Sequence, residues 1–162
     1  MSIFEWLEMT KLAEIVGVSL WGYPIMIAAH SFGLAIVVGI IFMLDFRILG
    51  IFSGVSFAGL HKMMKVAWVG FVINFLSGVC LFVAQASYFV TSGTFLVKIG
   101  AIFIAMIVAA LMQKALSDES ERWDTGGELT GRIKTLAIVS LALWSVAIIA
   151  GRFIAYLPLS LI

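Results

Sequence analysis

The stretch YPIMIAAHSFGLAIVVG, residues 23–39, decides the fold class of this chain, because it is apolar almost throughout yet holds a single histidine, His30. A transmembrane helix needs about 20 consecutive, mostly apolar residues. The apolar run around this stretch meets that requirement and extends over about residues 20–44. Three further runs of the same kind follow, at about 66–90, 95–116 and 133–157. The sequence therefore predicts an all-α integral membrane protein that forms a bundle of four transmembrane helices.

The composition supports the same class. Of the 162 residues, 63% are hydrophobic and only 12% are charged, whereas a soluble domain carries about 25% charged residues. So few charges cannot cover a water-facing surface. The net charge of +1 and the lack of a basic stripe exclude a nucleic-acid-binding protein. The single cysteine, Cys80, excludes internal disulfides and a cysteine-based zinc site.

The first 19 residues have a different pattern and are predicted to form a separate amphipathic helix. Apolar and charged side chains are interleaved at helical spacing in SIFEWLEMTKLAEIVGVS, residues 2–19. This pattern favours a helix that lies in the membrane interface with its apolar face toward the lipid. Its early charges are acidic, unlike the positive start of a signal peptide, so we expect the segment to be retained. The predicted domains are an interfacial helix, 1–19, and a four-helix domain, 20–157.

The distribution of basic residues predicts the orientation of the chain in the membrane. Seven of the ten Lys and Arg residues lie in or beside the two loops that join the first two and the last two predicted spans. The other three are at the opposite face: Lys11, Lys98 and Arg152. Because cytoplasmic loops carry the excess of basic residues, we expect these two loops in the cytoplasm and both termini outside it.

His30 is the main candidate for a functional residue, because an ionisable side chain within a transmembrane segment is rare and is by default a functional hypothesis. It lies about nine residues into the first span, roughly 14 Å from its outer end. Three interpretations are open: a structural histidine bonded to Ser77 or Asn74 of the next helix, a ligand of a metal or haem iron, or a proton relay. Gly33, on the same face, would admit the close approach of a helix or of a porphyrin ring.

Two cations favour haem over a bare metal ion as the partner of His30. Lys98 begins the third predicted span and Arg152 ends the fourth, both on the outer side, where haem propionates need cationic partners. Tyr23 adds a polar group nearby. Snorkelling basic side chains and an interfacial aromatic belt are the alternative explanation. The predicted cofactor is haem b, with no cofactor and copper as alternatives, and the predicted binding residues are His30, Gly33, Lys98, Arg152 and Tyr23.

The second axial ligand of such an iron is open. His61, the other histidine, is predicted near the inner edge, too far from His30 for both rings to reach one iron in a monomer. Met106 of the third span and Cys80 of the second are predicted near the depth of His30, and His/Met ligation of haem is known chemistry. His30 and Met106 are therefore the predicted metal ligands. His30 of a second protomer in a homo-oligomer, or a five-coordinate iron, are the alternatives.

Several short motifs resemble known families. AHSFGLAIVVG (29–39) is similar to the first conserved helix of copper-resistance-protein-D-like membrane proteins. Four other segments resemble a related family of functionally uncharacterised four-helix bacterial proteins: MKVAWVGFVINFLSGVCLF (64–82), FLVKIG (95–100), RWD (122–124) and GRFIAY (151–156). The resemblance extends over about residues 19–156 and implies a four-helix bundle of the bacterial inner membrane whose histidines suit haem or copper. His30 and Gly39 carry over by position. Some relatives have a histidine late in the third helix, where this chain has LMQKAL (111–116), which weakens ligation by two histidines.

These observations lead to hypotheses of different classes. The first is a small haem-binding or electron-transfer subunit that passes electrons between a quinone and a periplasmic redox protein. The second is a cofactor-free structural subunit of a larger membrane complex, in which small-residue faces and the amphipathic helix are docking surfaces. Copper handling comes third, because it needs several Met, Cys or His ligands in register, and the eight methionines form no such row. No nucleophile–base pair indicates a catalytic residue.

Overall fold

The computed structural model describes residues 2–154 and 156, and it confirms the all-α fold. Seven helices follow one another, and no β-strand occurs in these residues. They are α1 (Ile3–Glu8), α2 (Lys11–Gly17), α3 (Gly22–Ile48), α4 (Phe57–Ala84), α5 (Ala86–Thr91), α6 (Gly93–Asp124) and α7 (Gly131–Phe153). The predicted end of the fourth span, at residue 157, and Met1 of the predicted interfacial helix lie outside the described residues.

Four of these helices, α3, α4, α6 and α7, are long and apolar enough to cross a membrane. Their outward faces carry large apolar side chains, among them Phe32, Phe75, Phe103 and Ile149. In a water-soluble bundle these faces would be polar, because only one stripe of each helix is buried. Apolar side chains on both the inner and the outer faces are typical of helices that are surrounded by lipid. The chain is thus a multi-pass membrane protein.

The four long helices form an antiparallel ring in which α3 contacts α4, α4 contacts α6, α6 contacts α7, and α7 returns to α3. The bundle has two ends. The loop end carries residues 49–56 and 125–130, and the terminal end carries α1, α2 and α5. Glu8 ties α1 to the terminal end, because its Oε1 accepts the backbone N–H of Ser87 in α5 at 2.8 Å. Most large buried side chains of the core lie toward the loop end, among them Leu44, Leu60, Met112 and Leu116.

The N-terminal segment contains two short helices in place of the single predicted one. The Thr10 side chain caps the second of them by accepting the backbone N–H of Ala13 at 3.3 Å. A capping threonine takes non-helical dihedral angles, so the chain changes direction there. The turn lets α2 bury Ala13 and Val16 while α1 keeps no buried residue.

At the loop end, α4 and α6 extend well past the predicted spans, which were 66–90 and 95–116. Asp124, the last residue of α6, accepts the backbone N–H groups of Phe57 at 2.7 Å and Ala58 at 2.9 Å, so it caps the first turn of α4. Two glycines with positive φ follow α3 and α6: Gly50 at +90° and Gly126 at +95°. Left-handed residues of this kind commonly end a helix, and glycine adopts that conformation without a steric penalty.

Candidate cofactor site around His30

His30 and Asn74 join α3 and α4 inside the membrane-spanning part of the bundle. The His30 Nδ1 atom lies 2.9 Å from the Asn74 backbone oxygen, and the Asn74 side-chain amide donates to the His30 backbone oxygen at 2.7 Å. A carbonyl oxygen can only accept a hydrogen bond, so Nδ1 carries the proton and Nε2 has the lone pair. Ser77 Oγ lies 3.3 Å from Nδ1 as well. The contacts with Asn74 and Ser77, one of the interpretations left open by the sequence, are therefore formed.

Glycines permit this close contact of the two helices. A Cβ atom at Gly33 would lie 2.6 Å from the Asn74 nitrogen and 2.7 Å from the Gly70 oxygen. A Cβ atom at Gly78 would lie 3.0 Å from Cε1 of the His30 ring, so this glycine makes room for the imidazole. The proposed role of Gly33 needs correction here: the α4 backbone fills the space beside it, and no flat ring fits on that face.

The second ring nitrogen of His30 is free of the α3–α4 contact. Within residues 2–154 and 156, Nε2 makes no hydrogen bond, and the side chain is only half-buried. A histidine that ligates a metal usually donates its other N–H to a backbone carbonyl or carboxylate, which selects the tautomer and orients the ring. His30 has this arrangement, with Nδ1 bonded to the Asn74 carbonyl and Nε2 available to a ligand.

Lys98, in the second turn of α6, lies near His30. Its ammonium group is close enough to the imidazole for the two to interact electrostatically. The lysine stem passes Gly151 of α7, where a Cβ atom would lie 3.5 Å from the Lys98 Cδ, Cε and Nζ atoms. Lys98 has no ion-pair or hydrogen-bond partner among the residues that the structure describes. Lys98 is therefore a basic residue near His30 without an ion-pair partner among the described residues.

Arg152 and Tyr23, the other two residues predicted to bind the cofactor at the terminal end, lie farther from His30 than Lys98 does. Arg152 follows Gly151 in the last turn of α7 and is exposed. Tyr23 is exposed in the first turn of α3, and it precedes His30 by seven residues, or about 10 Å along the helix. Neither side chain forms a hydrogen bond or an ion pair with His30 within the described part of the chain. They lie at the correct end of the bundle but do not form a closed site with the histidine.

Met106 is not beside His30. It lines a small apolar cavity toward the loop end, together with Val37, Ile41, Trp68 and Phe71. Val37 follows His30 by seven residues, so the cavity is about 10 Å farther along α3. The predicted pairing of His30 and Met106 on one metal is therefore not formed within one chain, because α6 places the methionine too near the loop end.

His61 lies in the first turns of α4, far from His30 as predicted. The α4 residue that contacts His30 is Asn74, and it is separated from His61 by 13 residues, or about 20 Å of helix. His61 instead lines a cleft of about 400 Å³ at the loop end, with Lys62, Asp118 and Glu121 among its other residues. Two histidines of one chain cannot share an iron in this arrangement.

The RWD motif, residues 122–124, stabilises the loop end and is remote from His30. Arg122 pairs with Glu119, and the Trp123 ring packs edge to face on Phe57 with the centroids 5.3 Å apart. Asp124 caps α4, as described above. The motif therefore has a structural role in this chain.

Sequence reasoning missed a buried carboxyl group, Asp45 of α3. It directly follows the predicted first span, which ended at about residue 44, but it is 0% exposed and faces Ser140 of α7. The signal was its spacing: Ile41, Leu44 and Ile48 are buried on the same side of α3, and Asp45 falls within that stripe.

Comparison with protein-family models, with curated proteins and with solved structures finds no match to this chain.

Proposed function

We propose that this protein is a membrane-embedded haem-binding subunit of an electron-transfer system, with Nε2 of His30 as an axial ligand. One observation carries the proposal: Nδ1 donates to the Asn74 carbonyl at 2.9 Å, and Nε2, inside a membrane-spanning helix, has no partner in the described part of the chain. Haem held in this way supplies one-electron transfer at a potential that the axial ligand adjusts. The resemblance of residues 29–39 to copper-resistance-protein-D-like proteins supports the same assignment.

The residues around His30 have distinct tasks in this proposal. The Asn74 carbonyl selects the tautomer and orients the ring, and Gly78 gives the imidazole its room. Lys98 supplies a positive charge for an acidic substituent of the ring, and Arg152 supplies a second at the same end of the bundle. Because the α4 backbone fills the space beside Gly33, His30 would hold haem from the side that α4 leaves open.

A second axial ligand is proposed to come from outside the single chain, because Met106 and His61 both lie far from His30. A homo-oligomer related by a two-fold axis along the membrane normal would bring two copies of His30 to the same depth. We place the protein in the bacterial inner membrane, with the loop end in the cytoplasm and both termini in the periplasm. Its electron partners would be a quinone and a periplasmic redox protein.

A second candidate function is that of a cofactor-free structural subunit of a larger membrane complex. A specific observation favours it: the paired hydrogen bonds of His30 and Asn74, with the close approach at Gly33 and Gly70, already account for a histidine at this position. In that case His30 serves helix packing, and Nε2 has no ligand.

A reduced-minus-oxidised visible spectrum of the protein, purified in detergent from cells supplied with haem, separates the two functions. The haem proposal expects a sharp α-band that is lost in His30→Ala and kept in His61→Ala, which removes the other histidine as a matched control. A second variant, His30→Met, should keep the band and raise the midpoint potential, because a methionine ligand favours the reduced iron. A spectrum without an α-band in the native protein overturns the haem proposal and favours the structural subunit.

A further inference from the structure

Asp45 is an acidic side chain that lies inside the bundle without a partner. It is 0% exposed, and within the described residues neither carboxyl oxygen has a hydrogen bond. Buried polar side chains nearly always have a partner, so each exception calls for an explanation such as a bound water, an ion or a proton. An ionised carboxylate that is buried without a partner is strongly unfavourable.

Two polar groups of α7 are unpartnered on the same side of the bundle. The Ser140 hydroxyl faces the Asp45 carboxyl group closely enough to act on it, yet the two do not have the geometry of a formed hydrogen bond. Ser140 is also 0% exposed. One turn farther along α7, the indole N–H of Trp144 is buried and has no partner within the described chain. The apolar contact between α3 and α7 therefore contains a carboxyl group and a hydroxyl group, and a buried indole N–H follows one turn away on α7.

Among the residues that the structure describes, no charged group pairs with Asp45. Arg47, two residues along α3, donates from Nε to the Val55 carbonyl at 2.5 Å and places its guanidinium over the Phe57 ring. On α4, His61 belongs to the cleft on the α6 side. The remaining basic residues near the loop end have exposed side chains: Lys62, Lys65, Lys114, Arg122, Arg132 and Lys134. The acidic residues of α6 line the cleft, cap α4 or face solvent: Asp118, Glu119, Glu121 and Asp124.

We propose that Asp45 and Ser140 form a proton-binding site at the loop end of the α3–α7 contact. Three side-chain oxygens are available there, whereas hard metal cations take about six or more oxygen ligands. A single proton is the positive charge that this site can accommodate. It passes from a hydronium ion to one carboxyl oxygen: an O–H bond of the hydronium breaks, an O–H bond forms on Asp45, and water is released. Small rotations of the two side chains then bring them into hydrogen-bond geometry, and the neutral acid donates its O–H to the Ser140 hydroxyl.

Asp45 is close to the loop end of α3. It lies three residues before the end of the helix, or about 4.5 Å along it. In this proposal, proton uptake and release therefore take place from the loop end. The site lies 15 residues, or about 22 Å, from His30 on the same helix, and its test does not depend on any cofactor.

Infrared difference spectroscopy of the whole protein in detergent tests this proposal during a pH titration. We expect the carbonyl stretching band of a protonated carboxylic acid, and this band should be lost reversibly as the pH is raised. The band should be absent in Asp45→Asn. It should be unchanged in Asp118→Asn, which replaces an exposed carboxylate. Ser140→Ala should shift the frequency of this band because the acid loses its acceptor, and this variant keeps the test valid if Asp45→Asn fails to fold. The proposal is overturned if Ser140→Ala leaves the band unshifted, or if the band persists unchanged across the titration.

Discussion

His30 and Asn74 are joined by two hydrogen bonds that run in opposite directions across the α3–α4 contact. The imidazole donates to the Asn74 carbonyl, and the Asn74 amide donates to the His30 carbonyl. The first bond uses only the backbone of Asn74, whereas the second uses its side chain. Asn74 therefore has two roles that mutation can separate. Its side chain contributes to helix association, and its backbone carbonyl orients the imidazole.

Replacing Asn74 by Ala removes the side-chain hydrogen bond and leaves the backbone carbonyl in place. Interhelical hydrogen bonds in membranes contribute about 0.6 kcal/mol on average and up to about 1.7 kcal/mol. We expect the free energy of unfolding, measured by titration with a denaturing detergent, to fall by about 1 kcal/mol. Ser77→Ala is the control and should have a smaller effect, because Ser77 Oγ already bonds to the Ile73 carbonyl of its own helix at 2.7 Å. Equal losses in both variants would contradict this account.

Replacing Gly33 by Ala should force α3 and α4 apart, because the new Cβ atom meets backbone atoms that cannot rotate away. Overpacking of this kind costs about 1–3 kcal/mol. Gly39→Ala is a matched control on the same helix, since no atom of another described helix lies within 4 Å of its Cβ position. That variant should be neutral or more stable by up to about 1 kcal/mol, since alanine is the better helix former. Thermal unfolding followed by circular dichroism measures both, and a stability of Gly33→Ala equal to that of the native protein would disprove the close contact.

Removing the carboxylate of Asp124 should loosen the loop end of the bundle. Asp124→Ala leaves the N–H groups of Phe57 and Ala58 without their acceptor, and loss of a helix cap costs about 0.5–2 kcal/mol. Asp118→Ala, which removes an exposed carboxylate from the same helix, should change the stability by less than about 0.5 kcal/mol. Hydrogen exchange at the first turn of α4 reports the effect directly. If exchange there is unchanged in Asp124→Ala, the cap does not stabilise α4.

The orientation in the membrane can be measured with single cysteines in a Cys80→Ala background. Glu128→Cys places a thiol in the loop that follows α6, and Glu14→Cys places one on α2 at the terminal end. Both side chains are exposed. A thiol reagent that does not cross membranes should label intact spheroplasts at position 14 and should label position 128 only after the membrane is opened. The reverse pattern would invert the topology.

The four spans and the depth of His30 were readable from the sequence, because hydropathy is a sum over neighbouring residues and depth is a count along a helix. The same count separated His61 from His30, and the structure agrees. The sequence also indicated Asn74 and Ser77 as possible partners of His30, because few polar side chains of the second span lie at the depth of His30. Packing was not readable in this way. The space beside Gly33 holds a helix instead of a ring, and Met106 faces an apolar cavity.

Asp45 shows most clearly why the rest required the folded chain. Its place near the end of an apolar run is a local property, and it is equally compatible with a solvated residue at the membrane edge. Its burial follows from the rotation of α3 toward α7, which brings Ser140 opposite it from 95 residues farther along the chain. Helices that are apolar on every face carry little information about which side turns inward. That choice depends on the fit of glycines, alanines and large side chains between helices, and such contacts exist only once all four helices are in place.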